Sequence, residues 1–208
     1  MVFLRAFVLI ALLWCLAGLL FLYLATRSYG KRKLFAPSSG NPRQGACYAF
    51  TLGMAPWAKE SVLLNLFSFI AGLVFHGGIF AALLLLALYL LKAGLPNILL
   101  FILGITALAG TSAGIGLLIK RVLKKELRSL SGPDDYLANL LSVSFSGLAF
   151  WAVLSPVMLH AWLLAGALLF IYIPLGKIRH CLFFFTSRYH FGAFYGRRGT
   201  FPPGQARI

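Results

Sequence analysis

The chain has 208 residues, 61% of them hydrophobic and 11% charged, with a mean hydropathy of +0.90, a composition that predicts an integral membrane protein and leaves no room for a separate soluble domain. A formal net charge of +15, from 19 Lys+Arg against 4 Asp+Glu, reads in such a protein as basic cytoplasmic loops that meet anionic lipid or a partner, not as a nucleic-acid surface. The three cysteines, Cys15, Cys47 and Cys181, are isolated, which argues against a disulfide framework, a c-type haem attachment and iron–sulfur clusters of the chain's own.

In chain order, the first apolar run covers residues 6–25 and is followed by Arg27, Lys31, Arg32 and Lys33. The stronger charge lies after the run, so it reads as an uncleaved anchor with its N-terminus outside. Residues 27–60 are expected to form a cytoplasmic loop in which Pro37, Pro42 and Pro56 oppose a long regular helix. A second span is expected over 62–91, ending at Lys92, and a third over 98–119. The third runs into Lys120, Arg121, Lys124, Lys125 and Arg128, the clearest cytoplasmic loop. The fourth span covers 137–154, Ser155–Pro156 breaks the chain on the outer side, and the fifth covers 157–185. A basic cytoplasmic tail, 186–208, follows with Arg188, Arg197, Arg198 and Arg207. The expectation is an all-α bundle of five transmembrane helices forming one membrane domain over 1–208, N-terminus outside and C-terminus cytoplasmic. The stretch AGTSAGIGLL at 109–118 carries small residues at helical spacing, which suits close helix packing and not phosphate binding.

Two histidines fall inside apolar stretches: His76 in LFSFIAGLVFHGGIFAALLLL and His180 in LLFIYIPLGKIRHCLFFF. An ionisable residue in hydrocarbon is costly unless partnered, and two of them on different helices could hold a haem iron from both faces. Depth tests which histidines could share an iron. At about 1.5 Å per residue, His76 lies about 24 Å from the outer end of its helix and His180 about 34 Å, an offset of roughly 10 Å that helix tilt absorbs. His160 lies only about 5 Å in, which disfavours it as the partner of His76. Each intramembrane histidine retains a plainer reading, a hydrogen bond to a neighbouring helix carbonyl. Gly77 and Gly78 favour ligation by clearing space for a flat macrocycle. His160, beside Trp162, reads first as an interfacial residue that reaches water and second as a quinone contact, and His190 reads as a surface or lipid-facing residue.

Residues 62–200 resemble the membrane cytochrome b, or gamma, subunit of respiratory nitrate reductase and its relatives in the membrane redox complexes of sulfate reducers. The resemblance rests on FHGGIF around His76, KRVLKKELRSLSGPDDYLANLL, the YIPLGKIRH segment in which His180 follows Pro174 by six residues, and the tail RYHFGAFYGRRG. Nitrate reductase gamma subunits carry two b haems, but the positions that would complete the second are Leu86 and Trp162 here, so one haem is expected. What remains is the single b haem nearer the cytoplasmic side, with His76 and His180 as axial iron ligands; Lys177 and Arg179 are close enough in sequence to meet its propionates, or equally to meet lipid phosphate or snorkel. The resemblance implies menaquinone or ubiquinone as substrate, a cytoplasmic iron–sulfur subunit as partner, and the cytoplasmic membrane of a bacterium or archaeon as location. Such a chain is an electron-transfer subunit of a quinone-linked oxidoreductase complex and not a catalyst alone. The alternatives are a haem-free anchor or assembly subunit of such a complex and, less favoured, a small transporter.

Overall fold

The computed structural model describes residues 2–27, 29, 35–58 and 60–203, without the side chains of Glu60 and Ser61; Lys31, Arg32, Lys33 and Arg207 lie outside the described residues. The described residues are 82% helix, with no strand among them. Four helices among them are long and apolar enough to cross a membrane: α1 (Val2–Thr26), α4 (Leu66–Leu90), α5 (Asn97–Leu123) and α7 (Pro133–Leu154). A fifth span is counted if α8 (Leu159–Tyr172) and α9 (His180–Arg197) are taken as one interrupted crossing. Short helices fill the connections: α2 (Pro42–Phe50), α3 (Glu60–Leu63) and α6 (Lys125–Ser129).

The fifth apolar run thus departs from the continuous helix expected over 157–185, and the cause is local. Pro174 has no N–H to continue the ladder of α8. The chain turns there, with the N–H groups of Leu175 and Gly176 both donating to the Tyr172 carbonyl. Gly176 lies so close under the Tyr172 ring that a Cβ there would overlap it. The expected tail is also more regular than anticipated, since residues 186–197 belong to α9.

The chain divides into two compact units. The first comprises residues 1–18 and 67–178. Its interior is lined by small and aliphatic side chains from every long helix: Val8 and Ala11 of α1, Ala82 and Leu86 of α4, Ala107 of α5, Phe145 and Ala149 of α7, and Leu163 and Ala167 of α8. The helices meet along glycines. A Cβ on Gly78 would stand 2.5 Å from the Gly110 Cα, so α4 and α5 cross backbone to backbone. Gly114 leaves room for the Phe75 ring and for Val143, and Gly166 for Phe145 and Leu86. The small residues at 109–118 therefore serve the helix packing expected of them. In a solvent as apolar as the side chains themselves, close approach and interhelical hydrogen bonds drive association. One such bond joins Thr111 Oγ1 of α5 to Ser146 Oγ of α7 at 2.9 Å, both buried.

The second unit comprises residues 19–66 and 179–208, and its centre is the pair α2 and α9. Asn41 caps α2, its side chain accepting from the Arg43 N–H at 2.9 Å, and Pro42 occupies the first helical position, where a missing N–H costs nothing. Pro42, expected to oppose a long regular helix in this loop, starts a short one. Gly45 of α2 faces Gly192 and Gly196 of α9, so close that a Cβ on Gly45 would fall 2.4 Å from the Gly196 Cα. Gly192 and Gly196 are spaced i, i+4, the arrangement that brings helices into backbone contact.

The seam between α4 and α5 generates a test of opposite signs. Gly110→Ala must displace backbone and is expected to destabilise the protein by about 1–3 kcal/mol. Gly77, one residue from Gly78, has nothing within 4 Å of its Cβ position, so Gly77→Ala is expected to be neutral or to stabilise by up to about 1 kcal/mol. Thermal midpoints in detergent measure both, and a fall of similar size for Gly77→Ala would refute the assignment.

Candidate functional site

His76 lies midway along α4. Its Nδ1 donates to the Gly72 carbonyl one turn earlier, at 2.7 Å. A neutral imidazole that donates from Nδ1 carries its lone pair on Nε2, which is the tautomer that metal-ligating histidines adopt when a backbone carbonyl holds the other nitrogen. The ring lies on an exposed face between Phe75 and Phe80, with centroids at 6.0 and 6.5 Å. Side chains added at Gly72 or Gly77 would meet nothing within 4 Å, so this face of α4 is open. The two glycines expected to clear space for a macrocycle therefore differ. Gly77 borders the open face, whereas Gly78 is taken up by the crossing with α5.

His180 belongs to the second unit, where it is the first residue of α9, and it too is exposed. Arg179 precedes it, also exposed. His160 is exposed in the first turn of α8, and His190 is exposed midway along α9. Two neutral imidazoles are a sufficient protein donor set for a low-spin haem iron, and the hydrogen bond at His76 suits that chemistry. Among the described residues, no group of three or more His, Cys, Asp or Glu could hold a free metal ion.

Leu86 and Trp162 are both buried in the first unit. Trp162 lies against Tyr89 and Phe145, ring centroids 6.2 Å away in each case, and its buried Nε1 has no hydrogen-bond partner among the described residues. Tyr89 in turn accepts from Arg5 Nε at 2.9 Å, and the guanidinium lies 4.4 Å from the centre of its ring.

Lys177 donates to Asp135 Oδ2 at 2.5 Å, so the lysine anticipated at a propionate also holds a carboxylate of the chain. Asp135 is the hub of a cluster that sequence reasoning missed. It accepts from the Gly132 N–H at 2.9 Å, closing the first turn of α7, and lies 3.4 Å from Arg121 Nη1 at the end of α5. Arg121 also donates to Ser131 Oγ at 2.9 Å. The neighbouring Asp134 accepts from the Tyr172 hydroxyl through its carboxylate and its backbone carbonyl. These bonds tie together the ends of α5 and α8, the turn after α8 and the start of α7. The available signal was the Asp-Asp pair itself, half of all the acidic residues in a chain with 19 basic ones.

Arg188 is a second residue whose role was not foreseen. Its Nε donates to the Ala49 carbonyl at 2.7 Å and its Nη2 to the Gly53 carbonyl at 2.8 Å, so the guanidinium closes the C-terminal end of α2. The fork geometry is specific to arginine. Arg188→Ala and Arg188→Lys are both expected to loosen residues 49–58, raising chymotryptic cleavage after Phe50 or Trp57 while the far-ultraviolet helix signal is largely kept. Unchanged cleavage in Arg188→Lys would show that a point charge suffices.

These features define an all-α, multi-pass membrane protein with an open histidine face on one of its apolar helices. Compared with family models, with curated proteins and with solved structures, the chain matches none.

Proposed function

We propose that this chain is the membrane cytochrome b subunit of a respiratory redox complex, binding one b haem through His76 and His180 and passing electrons between membrane quinone, menaquinone or ubiquinone, and a cytoplasmic iron–sulfur subunit. The observation that carries the reading is the hydrogen bond from His76 Nδ1 to Gly72, on an open helix face that apolar packing does not explain. The resemblance around YIPLGKIRH supplies the second ligand. A haem so held supplies one-electron chemistry without an open coordination site. The chain's own part is to fix the imidazole tautomer, keep the surroundings apolar and present basic residues toward the partner. Burial of Leu86 and Trp162 supports one haem instead of two. Arg179 and Lys177 remain the nearest cations in sequence to His180 and the proposed propionate contacts, and His160 is the secondary proposal for a quinone contact. In this reading the N-terminus is outside, the C-terminus is cytoplasmic, and the membrane is the cytoplasmic membrane of a bacterium or archaeon.

The haem-free anchor is the competing reading, favoured by one observation: Gly78 is filled by the Gly110 backbone and contributes nothing to a cofactor cleft. A reduced-minus-oxidised spectrum separates the two. The cytochrome reading expects b-type bands, a pyridine haemochrome ratio of one haem per chain, loss of the low-spin signal in His76→Ala and in His180→Ala, and its retention in His160→Ala. Full signal in either of the first two variants would remove that residue as a ligand, and absence of bands in the wild type would favour the anchor.

The docking proposal rests on Lys124 and Lys125, exposed at the end of α5 and the start of α6. Reversing both to Glu is expected to weaken association with the soluble partner, or slow electron exchange with it, more at low salt than at 0.15 M, where screening reaches about 8 Å. Cleavage of the 120–136 loop from outside intact cells would invert the proposed orientation.

A further inference from the structure

Eleven of the 19 basic residues fall in the second unit, against a single acidic residue, Glu60. Both ion pairs among the described residues, Arg121–Asp135 and Lys177–Asp135, lie in the first unit. Within the second unit, the segment 35–39 and the last turn of α9 enclose a cavity of about 510 Å³ lined by Phe35, Pro37, Ser39, Phe194, Arg197 and Arg198. The groups that hold the two guanidiniums carry no negative charge, and neither arginine is in an ion pair among the described residues. Arg197 Nη2 donates to the Ala36 carbonyl at 2.7 Å, and the Arg198 guanidinium stands 5.3 Å from the Phe194 ring centre. The segment is fixed against the helix by the backbone N–H groups of Ser39 and Gly40, both donating to the Arg197 carbonyl at 3.0 Å. The cavity therefore does not depend on a ligand to exist.

We propose that this cavity is a binding site for the phosphate headgroup of an anionic phospholipid, with Arg197 and Arg198 on the phosphate and Phe35, Pro37 and Phe194 against the glycerol and first acyl carbons. Three features select this chemistry. Two preorganised guanidiniums, with no carboxylate paired to them among the described residues, match a phosphate, to which arginine binds through paired donors. The apolar half of the lining has no use for a bare inorganic ion but suits an amphiphile. Phe35, 97% exposed at the rim, places an aromatic ring where it can enter the headgroup region. The volume lies within the range of small-ligand sites. The site is independent of the haem proposal, since none of its residues is a proposed haem or quinone contact.

The test uses the full chain in a neutral detergent, titrated with dioctanoyl-phosphatidylglycerol, dioctanoyl-phosphatidylcholine and inorganic phosphate, and read by calorimetry and by adduct mass in native mass spectrometry. Phosphatidylglycerol is expected to bind about tenfold or more tightly than either of the others. Arg198→Gln removes one guanidinium without touching the Ala36 bond and is expected to weaken phosphatidylglycerol about tenfold while leaving phosphatidylcholine unchanged. Phe35→Ala is expected to weaken the lipid and not phosphate. Equal binding of phosphatidylglycerol and phosphatidylcholine would reduce the cavity to an unspecific detergent-accessible cleft. Phosphate as tight as the lipid would make it a free-anion site. Unchanged phosphatidylglycerol binding in both Arg198→Gln and the double variant Arg197→Gln/Arg198→Gln, with thermal midpoints preserved, would overturn the proposal.

Discussion

Side chains in a bilayer gain little by hiding from a solvent as apolar as themselves, so what holds such helices together is how closely their backbones can come. In this protein that closeness is set by glycine. Gly78 against Gly110 brings α4 onto α5, and Gly114 admits the Phe75 ring between α4, α5 and α7. The same device recurs outside the long apolar helices, where Gly45 meets Gly192 and Gly196. The position of His76 follows from it: with Gly78 turned to α5, the imidazole two residues earlier falls on another face of α4, beside Gly72 and Gly77 and over open space.

Polar groups complete what the glycines begin. Thr111 and Ser146 bond to each other at 2.9 Å, one hydroxyl donating to the other, and the one that accepts donates its own proton to a carbonyl one turn back on its helix, Ala107 for Thr111 or Ser142 for Ser146, so neither hydroxyl is stranded in the interior. Asp135 does comparable work at a helix start. One carboxylate gathers a backbone N–H, a lysine and an arginine from three parts of the chain. Exposed pairs of this kind contribute little singly, about 0–1 kcal/mol, but a shared carboxylate fixes the register of the elements around it.

Much of this architecture could be read from residue order, for reasons that differ by element. The helices α1, α4, α5 and α7 announce themselves because hydropathy is a local property and each run is bounded by charge or by Pro. The seam at 109–118 was legible because close packing demands small residues at helical spacing. The interruption at Pro174 was not, because the apolar run continues through it and hydropathy is blind to a missing N–H. The pairing of α2 with α9 was hidden by distance along the chain, although Gly45, Gly192 and Gly196 had the spacing to suggest it. At the site, the partner of His76 lies four residues away on its own helix, not on the neighbouring helix that the plainer reading offered. What the sequence alone did not reveal is that this bond and an open face coexist, or that Lys177 holds an aspartate.

The grip of Arg188 on the Ala49 carbonyl closes a loop of 139 residues. Proteins are made from the N-terminus at roughly 5–20 residues per second, so α2 leaves the ribosome on the order of ten seconds before the arginine that closes it exists. During that interval its glycine face has no α9 to meet. The short, polar, Asn-capped character of α2 suits such a wait, because a longer apolar helix in the same place would have been free to associate with the wrong neighbour. Synthesis of the last thirty or so residues is thus the step that completes the second unit, and a chain stopped before Arg188 would leave that unit open however well its long apolar helices had assembled.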